Sequence, residues 1–200
     1  MNYEIHLTVP VDPEKPEQLE KFKSVCVDLG VKAIIIDANP LTDVMTSFKM
    51  QTDDQNAVFT EMARQMLVLG TFGFRAIRTK VETDLTHPSA MTPLPNQYFE
   101  SHLQVWVRDD QLEDLKDLAH GLDFYVSRNA FKAPVDGRHI RMITVRQYHT
   151  TPDRFTTRIT ALRKVLPGQG YDFAKDMEIE FALFDSNSSH DTPWIESRGW

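Results

Sequence analysis

The strongest constraint on the fold is an internal repeat. The seven residues YEIHLTV that begin at Tyr3 recur in related form as FESHLQV, which begins at Phe99. Glu4 and Glu100 stand 96 positions apart, and the histidine two residues after each of them keeps the same separation. Glutamines and phenylalanines further along both halves also keep it. A separation that stays constant over this length predicts a tandem duplication.

The first copy has the hydrophobic pattern of a βαββαβ unit. Residues 3–9 alternate apolar and polar, which predicts a strand with one apolar face. Residues 18–29 place apolar side chains at helical spacing, and a glycine follows where a helix should end. Two β-rich segments, 31–37 and 43–51, then precede a second amphipathic helix and a last strand over 75–83.

The second copy predicts the same order of elements. Its strands are expected over 98–107, 124–130, 139–148 and 177–184, and its helices over 111–122 and from Phe155 to Val165. Such a unit is typical of the ferredoxin-like, or split-βαβ, arrangement. We therefore expect an α+β fold, a tandem duplication of a ferredoxin-like βαββαβ unit with antiparallel sheets and helices on one face.

The predicted domain organisation follows from the repeat. It consists of ferredoxin-like repeat 1 over 1–85, a proline-rich linker over 86–97, ferredoxin-like repeat 2 over 98–185 and a C-terminal tail over 186–200. Prolines among small polar residues indicate the boundary. The tail contains Trp194 and Trp200. We expect the tail to dock through Trp194, because an exposed indole gives up a large burial free energy.

Composition limits the classes of function and partner. The chain has 29 acidic and 22 basic side chains and a formal charge of −7, which makes general nucleic-acid binding unlikely on electrostatic grounds. Cys26 is the only cysteine, so an internal disulfide and a multi-cysteine zinc site are excluded. No apolar run approaches the roughly 18 residues that span a bilayer, and the N-terminus lacks the pattern of a signal peptide. We therefore expect a cytoplasmic protein without a membrane partner.

Alternation in the first strand of each copy predicts where charged groups lie. If the apolar residues of the first strand face the helices, then Glu4, His6 and Thr8 face the other side of the sheet. The equivalent residues of the second copy are Glu100, His102 and Gln104. Two ferredoxin-like units commonly cover such open faces by apposing or fusing their sheets. Both groups are therefore expected at the interface between the copies.

Neighbouring strands add further candidate ligand-binding residues. In the usual strand order the first strand is central and is flanked by the third and fourth strands of its copy. The residues expected beside it are Gln51, Glu82, Gln147 and Glu180. Together with Glu4, Thr8, Glu100 and Gln104 they form the predicted ligand-binding set.

Three interpretations of the repeated Glu-x-His remain open. Glu4, His6, Glu100 and His102 could bind a divalent metal, since imidazole and carboxylate suit zinc, iron or manganese. His6 and His102 could be catalytic as general acid and base, because imidazole titrates near neutral pH. Alternatively, Glu-x-His is a polar cross-strand pair that seals the interface and is present twice because both copies descend from one ancestor.

His6-Leu7-Thr8-Val9 resembles the His-x-Thr-x signature of the two-histidine phosphoesterases. These enzymes are similar to this chain in length and in having two related lobes, each with one motif. The resemblance implies a phosphoesterase activity in which the histidines act on a phosphate held by the Thr or Ser that follows. The second copy departs from this pattern, because it has Gln104 in place of the Thr.

The leading hypothesis is a small-molecule binding or regulatory protein with a Glu/His-lined cleft between the two repeats. The first alternative is a hydrolase, phosphoesterase-like or metal-assisted, that uses His6 and His102. The second is an oligomeric scaffold, because paired open sheets also form homo-oligomers. No cofactor other than a divalent metal is indicated.

Overall fold

The computed structural model describes residues 1–130 and 132–197, and nine strands account for its framework. The strands are β1 (Asn2–Val9), β2 (Lys32–Asp37), β3 (Thr42–Gln51), β4 (Arg78–Thr83), β5 (Tyr98–Arg108), β6 (Tyr125–Asn129), β7 (Arg138–Tyr148), β8 (Asp172–Phe173) and β9 (Glu178–Asp185). The helices are α1 (Pro16–Leu29), α2 (Gln55–Thr71), α3 (Pro88–Met91), α4 (Leu112–Leu122), α5 (Pro152–Gly168) and α6 (Thr192–Ser197). The protein is therefore a mixed α/β protein with an antiparallel sheet and helices.

The strands form one continuous antiparallel sheet. Its order is β7-β6-β2-β3-β1-β4-β9-β5-β8, and β5 also pairs with β7. This last pair closes eight strands into a barrel-like ring, with β8 paired to β5 beside it. Of the two expected arrangements, apposed or fused sheets, the structure has the fused one, in which β2 pairs with β6 and β4 pairs with β9.

The helices cover the outer face of the closed sheet. The apolar residues of β1, such as Ile5 and Leu7, are fully buried in a cluster with Phe22 of α1 and Leu69 of α2. The equivalent residues of β5 join the same cluster, where the Phe99 ring packs against Phe155 at a centroid distance of 5.7 Å. One apolar core therefore continues through both halves of the chain.

Local sequence explains how several elements begin and end. The α1 helix ends at Gly30, whose φ of 70° lies in the left-handed region that favours glycine. Asp54 caps α2 by accepting a hydrogen bond from the backbone of Asn56. Thr151 caps α5, and Pro152 occupies its first turn. Cys26 is buried in the core, and burial raises the pKa of its thiol to about 12, as expected of a small core residue.

The structure adds elements that the sequence did not predict. The β4 strand begins at Arg78 and not at 75, because a turn follows α2. The short α3 helix lies within the expected linker, and the tail forms a 3-10 turn at Ser188–Asp191 followed by α6. Both halves run β-α-β-β-α-β with β8 added in the second, and the duplication and domain limits stay predictions. Within the described residues, no helix combines the length and apolarity needed to cross a membrane.

Phe99→Ala should lower the free energy of unfolding by about 3–5 kcal/mol, because its ring is 1 % exposed and packs against both Phe155 and Phe181. Chemical denaturation would measure this loss. Val27→Ala is the matched control, since Val27 is 77 % exposed, and it should change stability by less than about 0.5 kcal/mol. Equal effects of the two substitutions would contradict the placement of the core.

Candidate functional site

The inner face of the closed sheet surrounds a cavity of about 210 Å³. Side chains from both halves of the chain line it, because β1 and β5 both direct their even-numbered residues inward. One wall is charged and consists mainly of side chains from β1, β4, β5 and β9. The other wall is apolar, and its residues on β2, β3 and β7 are Ile34, Ile36, Met45, Ile140 and Met142.

Strand register places the charged side chains in contact. Glu4 and His6 of β1 lie opposite Glu82 and Lys80 of β4. In the second half, Glu100 of β5 lies between Glu180 of β9 and Arg146 of β7. Like charges therefore lie directly opposite each other on several paired strands, and contacts between opposite charges run diagonally, as from His6 to Glu82.

At one end of the cavity, a carboxylate from the tail joins two arginines. Asp191 accepts hydrogen bonds from Arg78 Nη1 at 2.8 Å and from Arg146 Nη2. Arg78 also donates to Asp185 from Nε at 3.0 Å and from Nη2 at 2.6 Å. Tyr98 donates its hydroxyl proton to Asp185 at 2.7 Å. Both guanidinium groups are buried, so their positions are set by these carboxylates.

The contacts continue along the charged wall through two glutamates. Arg146 Nε donates to Glu100 Oε1 at 2.8 Å, and Lys80 Nζ donates to Glu100 Oε2 at 3.0 Å. Lys80 Nζ also lies 2.8 Å from Glu82 Oε1, and His6 Nε2 lies 3.0 Å from Glu82 Oε2. We call the connected groups the ion-pair chain; its members are Asp185, Arg78, Asp191, Arg146, Glu100, Lys80, Glu82, His6 and His102.

Both ring nitrogens of His6 face hydrogen-bond acceptors. Nδ1 lies 3.2 Å from the Thr46 carbonyl oxygen, and Nε2 faces Glu82. Burial alone would lower the pKa of His6, but the hydrogen bond and charge of Glu82 raise it above its ordinary value. Two acceptors, one at each ring nitrogen, therefore favour the protonated form of His6.

His102 lies in a similar environment. Its Nε2 is 3.6 Å from Glu100 Oε2, and its Nδ1 is 3.0 Å from Thr144 Oγ1. Burial opposes the charged form, yet the hydrogen bond and charge of Glu100 raise the pKa of His102 to about 9. A protonated imidazole can donate a proton or a hydrogen bond, but it cannot accept a proton as a general base.

The carboxyl groups of the cavity differ sharply in protonation. Burial would raise the pKa of Glu82, but Lys80 and His6 lower it to about 2. Glu100 is held well below its ordinary pKa against its burial, chiefly by Arg146. Glu180 behaves in the opposite way, because burial and the charge of Glu82 raise its pKa to about 7. Among the described residues, no basic nitrogen lies within 4.0 Å of the Glu180 carboxylate.

The tail forms part of the cavity wall. The Trp194 indole is buried, packs against the Tyr125 ring and donates to the Val126 carbonyl oxygen at 3.2 Å. His190 Nε2 contacts Asp43 Oδ1 at 2.5 Å, and this hydrogen bond raises the pKa of His190. The expected docking of Trp194 is thus observed, whereas Trp200 lies outside the described residues.

The structure brings most of the predicted site residues together. The predicted residues that line the cavity are Glu4, His6, Thr8, Glu82, Glu100, His102, Gln104 and Glu180. Gln51 lies in an adjoining depression at the end of β3. Gln147 is not part of the group: it pairs with Phe99 on the outer, helix-covered face and accepts a hydrogen bond from Arg158 of α5.

Four charged residues of the site lie outside the predicted ligand-binding set. They are Arg78, Lys80, Arg146 and Asp191. Alternation gave a usable signal for two of them, since Arg78, Lys80 and the predicted Glu82 occupy alternate positions of one strand. No periodic pattern marked Asp191, which lies in a Ser- and Asn-rich tail.

The groups best placed to hold a metal ion differ from the predicted metal ligands, which are Glu4, His6, Glu100 and His102. Among the described residues, Glu82, His102 and Glu180 each offer one ligand atom, and these atoms lie within 4.8 Å of one another. Two carboxylates and one imidazole suit zinc, iron or manganese. The ammonium group of Lys80, 2.8 Å from Glu82, and the charged His102 oppose a cation there.

The contribution of His102 to stability should depend on pH. Its pKa is raised from 6.5 to about 9 by folding, so the protonated imidazole stabilises the folded protein fully below pH 6.5. This stabilisation is lost as pH rises from 6.5 through 9. The free-energy difference between the wild type and His102→Gln should therefore shrink over this range in denaturation curves, and a difference that stayed constant would contradict the assignment.

Asp191→Asn should lower the free energy of unfolding by roughly 3–5 kcal/mol, because it removes the shared partner of two buried arginines. Asp110→Asn is the matched control: Asp110 is largely exposed and pairs with Arg108. The control should cost no more than about 0.5 kcal/mol. A loss for Asp191→Asn as small as that of the control would show that the tail carboxylate does not hold the two arginines.

Comparisons with known proteins assign no family to this chain. No protein-family model and no curated protein matches it. It is similar to the acetolactate synthase small subunit from Thermotoga maritima, with a TM-score of 0.30, 11% identity and coverage of 90% of this chain and 92% of that chain. It is also similar to siroheme decarboxylase NirDL in complex with an iron-uroporphyrin III analogue. The TM-score is 0.32, the identity is 10%, and the match covers 98% of this chain and 78% of that chain. It is similar as well to an unknown protein from Galdieria sulphuraria, with a TM-score of 0.28, 12% identity and coverage of 91% of this chain and 98% of that chain. These similarities are too weak to assign a function.

Proposed function

We propose that this protein binds a small amphipathic molecule inside its closed sheet, as a small-molecule binding or regulatory protein. The observation that carries this proposal is the division of one cavity into a charged wall and an apolar wall. A ligand with a polar head and an apolar body matches both walls at once. Cavities of this kind, mostly apolar with a few fixed polar groups, are typical ligand sites.

The charged wall supports a functional role because its charges are costly to bury. Glu82, Glu100 and Arg146 are almost fully inaccessible to solvent. Buried ion pairs seldom stabilise a protein more than apolar side chains of similar volume would. Their concentration around one cavity, together with strongly shifted pKa values, favours a binding site over a purely structural seal.

The apolar wall supports the same proposal. Met45 and Met142 lie on it beside isoleucines of β2 and β7. Apolar groups that face an open space lack dispersion contacts on that side, and the apolar body of a ligand supplies them. Methionine also adapts its shape to different ligands, because its side chain is flexible and polarizable.

The same geometry gives less support to the two alternatives. A hydrolase that uses His6 and His102 as an acid–base pair needs one neutral imidazole near neutral pH, whereas both pKa values are raised. A scaffold built on open sheet faces needs those faces to be exposed. In this chain they face one another and line the cavity.

Binding can be tested by NMR with methyl-¹³C-methionine and three six-carbon probes: 1-hexanol, hexanoate and hexylamine. At least one probe should cause saturable shifts of the Met45 and Met142 methyl signals, because both side chains line the cavity. The methyl signal of Met91, which is 59 % exposed on α3, should not move. The absence of a saturable shift at Met45 and Met142 with every probe would refute the proposal.

A pair of substitutions provides the control for this test. Ile140→Trp fills part of the cavity and should weaken binding of every probe. Ile77→Trp makes the same change at an exposed position outside the cavity and should leave binding unaltered. Equal binding by the two variants would place the probes elsewhere on the protein.

A further inference from the structure

We propose that the ligand is an amphipathic carboxylate, whose anionic head accepts a hydrogen bond from Arg146 Nη1 and whose apolar chain lies along β7 towards Met142 and Ile140. This inference rests on the proposed function and names the chemical class of its ligand. Two independent features of the cavity support it: an unused donor and the order of side chains on one strand.

The first feature is a buried donor without a partner. Arg146 is 8 % exposed and lines the cavity. Its Nε donates to Glu100 and its Nη2 donates to Asp191, while its guanidinium stacks 4.3 Å from the Tyr98 ring centroid. Nη1 is inaccessible to solvent and has no hydrogen-bond partner among the described residues. An unsatisfied buried donor is costly, and an acceptor on a ligand removes that cost.

The second feature is the order of side chains along β7. Ile140, Met142, Thr144 and Arg146 point to the same face, and all except Thr144 line the described cavity. Four strand residues span about 13 Å, so Met142 and the Arg146 backbone are separated by roughly that distance. The Arg146 guanidinium lies over the Tyr98 ring, which is opposite Tyr148 and so on the side away from Met142. The span along β7 towards Met142 is long enough for a short alkyl chain.

The main alternative is a ligand with a cationic head group that pairs with Glu180, because no basic nitrogen of the described residues lies within 4.0 Å of the Glu180 carboxylate. Burial and the charge of Glu82 raise the pKa of that carboxyl to about 7, so about half of it is neutral at pH 7. It can then act as a neutral hydrogen-bond group. An anionic head group at the Arg146 end of the cavity is therefore a better fit than a cationic head group beside Glu180.

Affinities of the three six-carbon probes test the inference at pH 7, read from the Met142 methyl shift. Hexanoate should bind at least about tenfold more tightly than 1-hexanol, since hydrogen bonds to charged groups are among the stronger ones, and hexylamine should bind weakest. Arg146→Lys keeps the charge but removes the guanidinium fork, and it should weaken hexanoate about tenfold without altering 1-hexanol. Arg154→Lys, on the exposed side of α5, is the matched control and should change neither.

The outcomes separate this inference from the proposed function. If hexanol or hexylamine binds as tightly as hexanoate, the cavity is a binding site but the carboxylate class is wrong. Unchanged hexanoate affinity in a folded Arg146→Lys variant would likewise overturn the role of Nη1. If that variant does not fold, the wild-type ranking of hexanoate against hexylamine and hexanol decides the question. Failure of all three probes to reach Met45 and Met142 would instead overturn the proposed function.

Discussion

Closure of the sheet determines where every charged side chain of the site lies. Side chains of a strand alternate between two faces, so a sheet that closes on itself must place one complete set inside. Helices cover the outer set, and the apolar residues of β1 and β5 pack beneath them. The alternating Glu and His residues are then enclosed, and they must find partners across the cavity because water cannot solvate them fully.

The partners found in this way give the interior its particular electrostatics. Arg146 and Lys80 share Glu100, while Lys80 and His6 share Glu82, so no single pair can be removed without leaving another charge unbalanced. These surroundings raise the pKa values of His6 and His102, and burial together with the charge of Glu82 raises that of Glu180. The result is a fixed polar surface opposite a wall of methionine and isoleucine side chains. Together these two walls favour a ligand with one polar end and one apolar end.

Sequence patterns predict the elements and much of the site, but not the closure. Alternation around Glu4 and Glu100 predicts correctly which side chains share a face, because it depends only on strand geometry. The β2–β6 junction has two residue pairs in register, Ile36 with Asn129 and Asp37 with Arg128. Two pairs are too few to give a sequence pattern that predicts this pairing. The usual strand order predicts Gln147 beside the first strand of its copy. Both faces of β7 carry apolar residues, so the sequence does not determine on which face the Gln147 side chain lies. Asp191 depends on a tail fold that only tertiary contacts define.

The connection of Arg78 to Asp191 links residues 113 positions apart. Contacts of such long range form late in folding, because the entropy of closing a long loop must be overcome first. During synthesis, the first half of the chain can build β1 to β4, but its charged face stays without the second half of the ion-pair chain. A complete cavity therefore exists only in a fully synthesised and folded molecule. A ligand bound there would stabilise the whole fold and not one half of it.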